Sequence, residues 1–181
     1  MDFMSQEETI KDFAQGGSLS TALPGFEPRA AQAAMAEAVA EVFDQGGSLL
    51  VEAGTGVGKS LAYLMPGLRR VFEAGQSLLI STATLNLQDQ ILKKDIPAAL
   101  KALGKDPTAL ADELLRAMGR SNYFCRLRFE LLEGPEGGEL FDEASMGGPT
   151  GLAKLKAWAV REPETTRDRI PFPVDARLWE K

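Results

Sequence analysis

The stretch Ser48-Leu-Leu-Val-Glu-Ala-Gly-Thr-Gly-Val-Gly-Lys-Ser60 decides the predicted fold. Its first part, Leu49 to Glu52, is short and largely apolar, which predicts a strand covered on both faces. Its second part, from Ala53 to Ser60, fits the spacing G-x-x-x-x-G-K-[ST], except that alanine holds the first place. The composition of Leu61 to Met65 favours a helix. Strand, glycine-rich turn and helix together are typical of a phosphate loop.

The residue types in this loop suit the binding of a nucleotide. Glycines allow backbone conformations closed to other residues, so that successive N–H groups can face phosphate oxygens. The amino-terminal end of the following helix favours the same anion. Lys59 is predicted to reach the β- and γ-phosphates of ATP, and the Ser60 hydroxyl to hold Mg²⁺, as the two catalytic residues. The predicted nucleotide-binding loop comprises Ala53, Gly54, Thr55, Gly56, Val57, Gly58, Lys59 and Ser60.

Composition limits the classes of function. The chain has 181 residues, a formal net charge of −6, one cysteine and no histidine. This charge leaves nucleic-acid binding to a local basic surface. One cysteine without histidine excludes a disulfide framework, a self-contained zinc site and histidine-based catalysis. The polar amino terminus does not read as a signal peptide and no stretch approaches membrane-spanning length, so we expect a cytoplasmic protein without membrane contact.

A second apolar segment, Ser77 to Thr82, predicts a second strand. It follows the loop helix, in which Pro66-Gly67 predicts an interruption or a kink. Two strands joined through a helix form a right-handed βαβ unit and therefore a parallel sheet. The predicted fold class is α/β, with a parallel sheet flanked by helices.

Further helices are predicted from periodicity, capping residues and breakers. Thr84 caps one helix, which Pro97 ends. Pro28 lies in the first turn of another, whose apolar face is Met35, Val39, Val42 and Phe43. Other helices are expected over Ser5–Phe13, Tyr123–Leu132 and Leu152–Val160. The composition changes beyond Glu133, where a boundary or insertion is expected.

Three stretches together resemble one family. Phe26-Glu-Pro-Arg29-Ala-Ala-Gln32 places arginine and glutamine three apart, and the loop follows it in the form Glu-Ala-Gly-Thr-Gly-x-Gly-Lys-Ser. The third stretch is Ile80-Ser-Thr82-Ala-Thr84-Leu-Asn-Leu-Gln88-Asp-Gln-Ile91. This set is similar to the adenine motif, phosphate loop and motif Ia of the iron–sulfur superfamily 2 DNA helicases of the DinG/XPD type.

The resemblance implies roles for four side chains. Arg29 and Gln32 would recognise adenine, since a glutamine amide both donates to and accepts from the base edge. Thr84 and Gln88 would contact the phosphates of single-stranded DNA. Without the resemblance, Gln32 is a polar residue on a helix and Thr84 a helix cap.

Met118-Gly119-Arg120-Ser121-Asn122-Tyr123-Phe124-Cys125 resembles the family signature Lys-Gly-Arg-x-Asn-Tyr-x-Cys, with methionine in place of lysine. The resemblance implies that Cys125 is one of four ligands of a 4Fe–4S cluster. A lone cysteine is otherwise usually a small buried hydrophobe. Because such a cluster needs four thiolates and this chain has one, we expect the cluster only in the complete protein.

The resemblance also implies a division into three segments. Residues 1–23 would be an amino-terminal polar helix and turn, 24–124 a partial RecA-like helicase domain, and 125–181 the truncated start of an iron–sulfur-domain insertion. The family's acidic Mg²⁺ box, arginine finger and second RecA-like domain do not follow. Asp142-Glu143, the one downstream acidic pair considered for that box, does not end an apolar strand.

The chain is therefore predicted to be an amino-terminal fragment of an ATP-dependent DNA helicase. The complete protein would use ATP and Mg²⁺ to move 5′ to 3′ along single-stranded DNA in repair or replication, and the fragment alone would be inactive. Two alternatives stay open. One is a different phosphate-loop ATPase or kinase, and the other is a non-enzymatic fragment that docks a protein partner.

Overall fold

The computed structural model describes residues 6–133, 149–163, 165–174 and 179 of the chain. It divides into two compact units, Met1–Leu114 and Leu115–Lys181, each with its own cluster of buried apolar side chains. The features expected over residues 134–148, among them Asp142-Glu143, lie outside the described residues. The division into segments 1–23, 24–124 and 125–181 stays a prediction.

Helices build the described part of both units. The first unit contains α1 (Gln6–Phe13), α2 (Ser18–Ala22), α3 (Ala30–Gln45), α4 (Lys59–Ala74), α5 (Leu85–Gln90), a π-helix (Ile91–Asp95) and α6 (Ile96–Ala102). The second contains a 3₁₀ turn (Arg120–Asn122), α7 (Arg126–Glu133), α8 (Pro149–Arg161) and a 3₁₀ turn (Arg167–Arg169). Within the described ranges, no helix is both long and apolar enough to span a bilayer.

The predicted parallel sheet is wrong for the described residues. Leu49–Glu52 and Ser77–Thr82 form neither a strand nor a helix, and neither pairs with another described segment. Leu50 is 99% exposed and Leu79 is 93% exposed, so the expected cover on both faces is absent as well. An apolar run indicates a tendency to be buried, whereas a strand also needs a backbone partner from a distant part of the chain. The described residues supply no such partner.

Of the interruption or kink predicted at Pro66-Gly67, the interruption is wrong, because α4 continues through Pro66 from Lys59 to Ala74. Pro66 is fully buried in the core, and this packing offsets the hydrogen bond that proline cannot donate. The next residue, Gly67, lets Leu78 of the second predicted strand approach closely. A Cβ at Gly67 would lie 2.9 Å from Leu78 Cδ2, so Leu78 packs directly on the backbone of α4.

Pro97 does not end its helix either. α5, the π-helix and α6 follow one another without a gap, and the N–H of Ile96 donates to the carbonyl of Ile91, five residues earlier. Proline at position 97 has no N–H, and its ring crowds the carbonyl of Lys93. The wider π turn before Pro97 accommodates that crowding without ending the helix.

Small residues on α3 let its neighbours approach. The buried residues of α3 are Gln32, Ala36 and Ala40, four apart and therefore on one face. α3 packs on both α1 and α4. Met35, Val39, Val42 and Phe43, which are predicted to share one face of this helix, are at most partly buried, and Phe43 is 39% exposed. α3 begins at Ala30 with Arg29 as its cap, so Pro28 precedes the helix.

The amino-terminal helices belong to the core of the first unit. Phe13 on α1 and Leu19 on α2 are almost completely buried. The buried carboxylate of Asp12 accepts hydrogen bonds from Arg69 Nη2 and from Ser18 Oγ, both at 2.6 Å. This ion pair joins α1 to the middle of α4.

Asp12→Ala is expected to lower the free energy of unfolding by about 2 kcal/mol, because it leaves the largely buried Arg69 guanidinium without its main partner. Urea denaturation followed by circular dichroism measures this loss. Glu8→Ala, an exposed change on the same helix, should cost less than about 0.5 kcal/mol. Equal losses in the two variants would show that the Asp12–Arg69 pair does not stabilise the unit.

Candidate functional site: the glycine-rich loop

The predicted phosphate loop is an irregular turn between Leu49–Glu52, the first predicted strand, and α4. Gly56 and Gly58 have positive φ angles of 79° and 87°, a region in which a residue with a Cβ is strained. In the described part of the chain, the N–H groups from Gly54 to Gly58 donate to no backbone carbonyl. The loop therefore keeps several backbone donors available for an anion.

Lys59 is the first residue of α4, and its ammonium lies across the base of the loop. Its Nζ donates to the carbonyl oxygens of Ala53 and Gly54, at 2.8 Å each. Hydrogen bonds from an ammonium to a charged phosphate are stronger than those to a neutral carbonyl. A bound phosphate would therefore attract this ammonium more strongly than the two carbonyls do.

Arg29 and Gln32 reach the same loop from the start of α3. Gln32 is 3% exposed, and its Nε2 donates to the carbonyl of Gly58 at 2.9 Å. A guanidinium nitrogen of Arg29, Nη1, donates to the carbonyl of Gly56. The structure thus brings together the adenine-motif residues and the phosphate loop, two separate stretches of the sequence.

The residues of the glycine-rich loop fit a nucleoside triphosphate with Mg²⁺. Free N–H groups, the Lys59 ammonium and the start of a helix are the donors that phosphate oxygens require. Ser60 lies half-buried at the second position of α4, and its hydroxyl is a hard oxygen ligand of the kind that Mg²⁺ prefers. ATP would supply the phosphoanhydride, and these residues would bind and orient it.

Tyr63 lies one turn after Ser60 on α4 and was not among the predicted site residues. Burial raises the pKa of the Tyr63 phenol, the Ser60 hydroxyl opposes this rise, and the charge of Asp95 adds to it. Asp95 is itself buried and accepts from Gln90 Nε2 at 3.2 Å. The spacing of three residues between Ser60 and Tyr63 was the available signal, since it places both on one helix face.

The predicted helix cap at Thr84 is confirmed. Its Oγ1 accepts from the N–H of Leu87 at 3.3 Å, and Thr82 Oγ1 donates to the carbonyl of Thr84 at 3.2 Å. Thr84 is exposed and Gln88 is half-buried on α5. These contacts fix the start of α5, and a role of Thr84 and Gln88 toward DNA stays a prediction.

Cys125 is exposed at the start of α7 in the second unit. The preceding residue, Phe124, donates its N–H to the carbonyl of Thr165 at 2.8 Å and packs its ring 5.2 Å from that of Phe129. Among the described residues, no group of three or more histidine, cysteine or acidic side chains could hold a metal ion. The one cysteine of this chain does not supply the four thiolates that such a cluster needs.

Gly58→Ala is expected to weaken Mg²⁺-ATP binding by about tenfold or more, because it strains a left-handed backbone position within the loop. The added Cβ would also lie 2.2 Å from Gln32 Nε2 and displace that amide. Isothermal titration calorimetry measures the affinity. Gly75→Ala is the matched control, with a φ of 63° at the other end of α4 and nothing within 4 Å of its Cβ. Its affinity should equal that of the wild type, and a similar loss in both variants would contradict the prediction.

Comparison with known proteins covers the same region. A model of the DEAD/DEAH box helicase family matches residues 29–113. The chain is 44% identical to the ATP-dependent DNA helicase YoaA of Escherichia coli K12 over 119 residues, which are 66% of this chain and 17% of that protein. It is 39% identical to YoaA of Haemophilus influenzae over 158 residues, or 87% of this chain and 22% of that protein.

A further relative is the ATP-dependent helicase DinG of Mycobacterium tuberculosis. It is 34% identical over 172 residues, which are 90% of this chain and 26% of that protein. The chain thus spans about a quarter or less of the length of these curated relatives. The loop, its two α3 partners and Thr84 all lie within the residues that match the helicase family. Over the residues compared, the chain is therefore similar to the ATP-dependent helicases YoaA and DinG.

Proposed function

We propose that this chain carries the nucleotide-binding part of an ATP-dependent DNA helicase. The observation that carries the proposal is the glycine-rich loop itself. Its N–H groups make no backbone hydrogen bonds among the described residues, and Lys59 and Ser60 begin the helix that follows it. The relatives, which are named as ATP-dependent helicases, support the same assignment.

The binding steps follow from the side chains at the loop. Lys59 would leave the carbonyls of Ala53 and Gly54 and neutralise the β- and γ-phosphates, and Ser60 would hold Mg²⁺. Arg29 and Gln32 would lie at the adenine end. Phosphoryl transfer also needs a positioned water and charge stabilisation by further groups. We therefore propose that this chain alone binds ATP without efficient turnover.

Two proposals concern the complete protein. Thr84 and Gln88 would contact single-stranded DNA, along which the protein would move 5′ to 3′ in repair or replication, within the cytoplasm. Cys125 would be one ligand of a 4Fe–4S cluster, whose three other thiolates come from outside this chain. Iron content tests the second proposal, since Cys125→Ser in the complete protein should lose the cluster and unchanged iron would refute it.

Lys59→Ala in the complete protein is expected to reduce DNA-stimulated ATP hydrolysis at least about 100-fold, because a charge that stabilises the transferring phosphate is removed. The measurement is phosphate release with and without single-stranded DNA. Lys101→Ala, an exposed change on α6, is the control and should retain wild-type turnover. Full activity of Lys59→Ala would refute the nucleotide site. If single-stranded DNA does not change the rate of ATP hydrolysis by the wild-type protein, a different phosphate-loop enzyme would be favoured instead.

A further inference from the structure

Side-chain donors from α3 hold two carbonyls of the phosphate loop. Arg29 Nη1 donates to the carbonyl of Gly56, and Gln32 Nε2 donates to that of Gly58. Neither contact involves the part of the loop that Lys59 occupies, which is Ala53 and Gly54. The α3 contacts can therefore persist when the lysine ammonium moves to a phosphate.

A hydrogen bond to a backbone carbonyl also orients the N–H group of the following residue. All peptide bonds of the described chain are trans, and in a trans peptide the C=O of one residue and the N–H of the next point in opposite directions within one plane. The Arg29 contact with Gly56 therefore directs the N–H of Val57 away from the guanidinium. That N–H donates to no backbone carbonyl among the described residues.

A side-chain hydrogen bond of this kind matters most at Gly56. Its φ of 79° lies in the region that glycine enters freely, so its own backbone restrains the adjoining peptide plane only weakly. Arg29 is the cap of α3, with an extended backbone at φ −131° and ψ 120°. The next turn of that helix is anchored by the buried residues Gln32 and Ala36. The guanidinium thus acts on the loop from a fixed helix start.

We propose that Arg29 is a positioning residue of the phosphate loop, which fixes the Val57 N–H for phosphate binding whatever base the nucleotide carries. The inference rests on the proposed function and adds to it. An adenine contact alone would make Arg29 matter only for ATP. If Arg29 positions the loop, it contributes equally to the binding of ATP, of GTP and of a triphosphate that carries no base.

The test is competitive binding of Mg²⁺-ATP, Mg²⁺-GTP and inorganic tripolyphosphate to the full 181-residue chain. The variants are Arg29→Gln, Arg29→Lys and, as a charge-matched control on the exposed surface, Lys101→Gln. Arg29→Gln should weaken all three ligands by a similar factor of about ten, the loss expected for one charge-assisted hydrogen bond. Lys101→Gln should leave all three affinities at wild-type values.

Arg29→Lys separates positioning from charge. Lysine keeps the positive charge but lacks the planar guanidinium that reaches the Gly56 carbonyl, so it should be nearly as impaired as Arg29→Gln. Wild-type affinity of Arg29→Lys for all three ligands would contradict the positioning role and show that the positive charge alone is sufficient. A loss confined to ATP in Arg29→Gln would overturn it in favour of base recognition. If the wild-type chain binds none of the three ligands, the proposed nucleotide site itself fails, and this inference fails with it.

Discussion

The close packing of α3 on α4 is the constraint on which the candidate site depends. α4 begins with Lys59 and Ser60, and α3 begins beside Arg29. The small buried residues of α3 allow the two helices to approach closely, and this places Arg29 and Gln32 on the carbonyls of a loop that follows them by more than twenty residues. Without that packing, the carbonyls of Gly56 and Gly58 would lose the side-chain donors that restrain this glycine-rich turn.

Two ion pairs also hold α4 against the helices that pack on it. Arg69 contacts Asp12 on α1, and Arg70, the next residue, contacts Asp44 at the end of α3. The middle of α4 is thus tied to two other helices, while its amino terminus stays accessible at the loop. An anion site needs this combination of a fixed helix and an accessible helix start.

The sequence predicted the glycine-rich turn and the helix that follows it, but not the architecture around them. The glycine spacing with lysine and serine depends on local backbone chemistry, which a short motif records. The sheet prediction failed because Leu49–Glu52 and Ser77–Thr82 needed backbone partners, and apolar composition says nothing about partners. Helix breaks at Pro66 and Pro97 failed because tertiary packing and a π turn accommodate both prolines. Arg29 and Gln32 were singled out, but their contacts with the loop carbonyls depend on packing over a long sequence separation.

The central claim is that side chains hold the loop carbonyls and leave the loop N–H groups for phosphate. Amide hydrogen exchange of Gly54 to Gly58, resolved by residue, tests it most directly. The account predicts fast exchange in the nucleotide-free chain and clear protection on addition of Mg²⁺-ATP, with little change at Gly75 at the other end of α4. Strong protection before nucleotide is added would contradict the account, and so would unchanged exchange of these amides at saturating Mg²⁺-ATP.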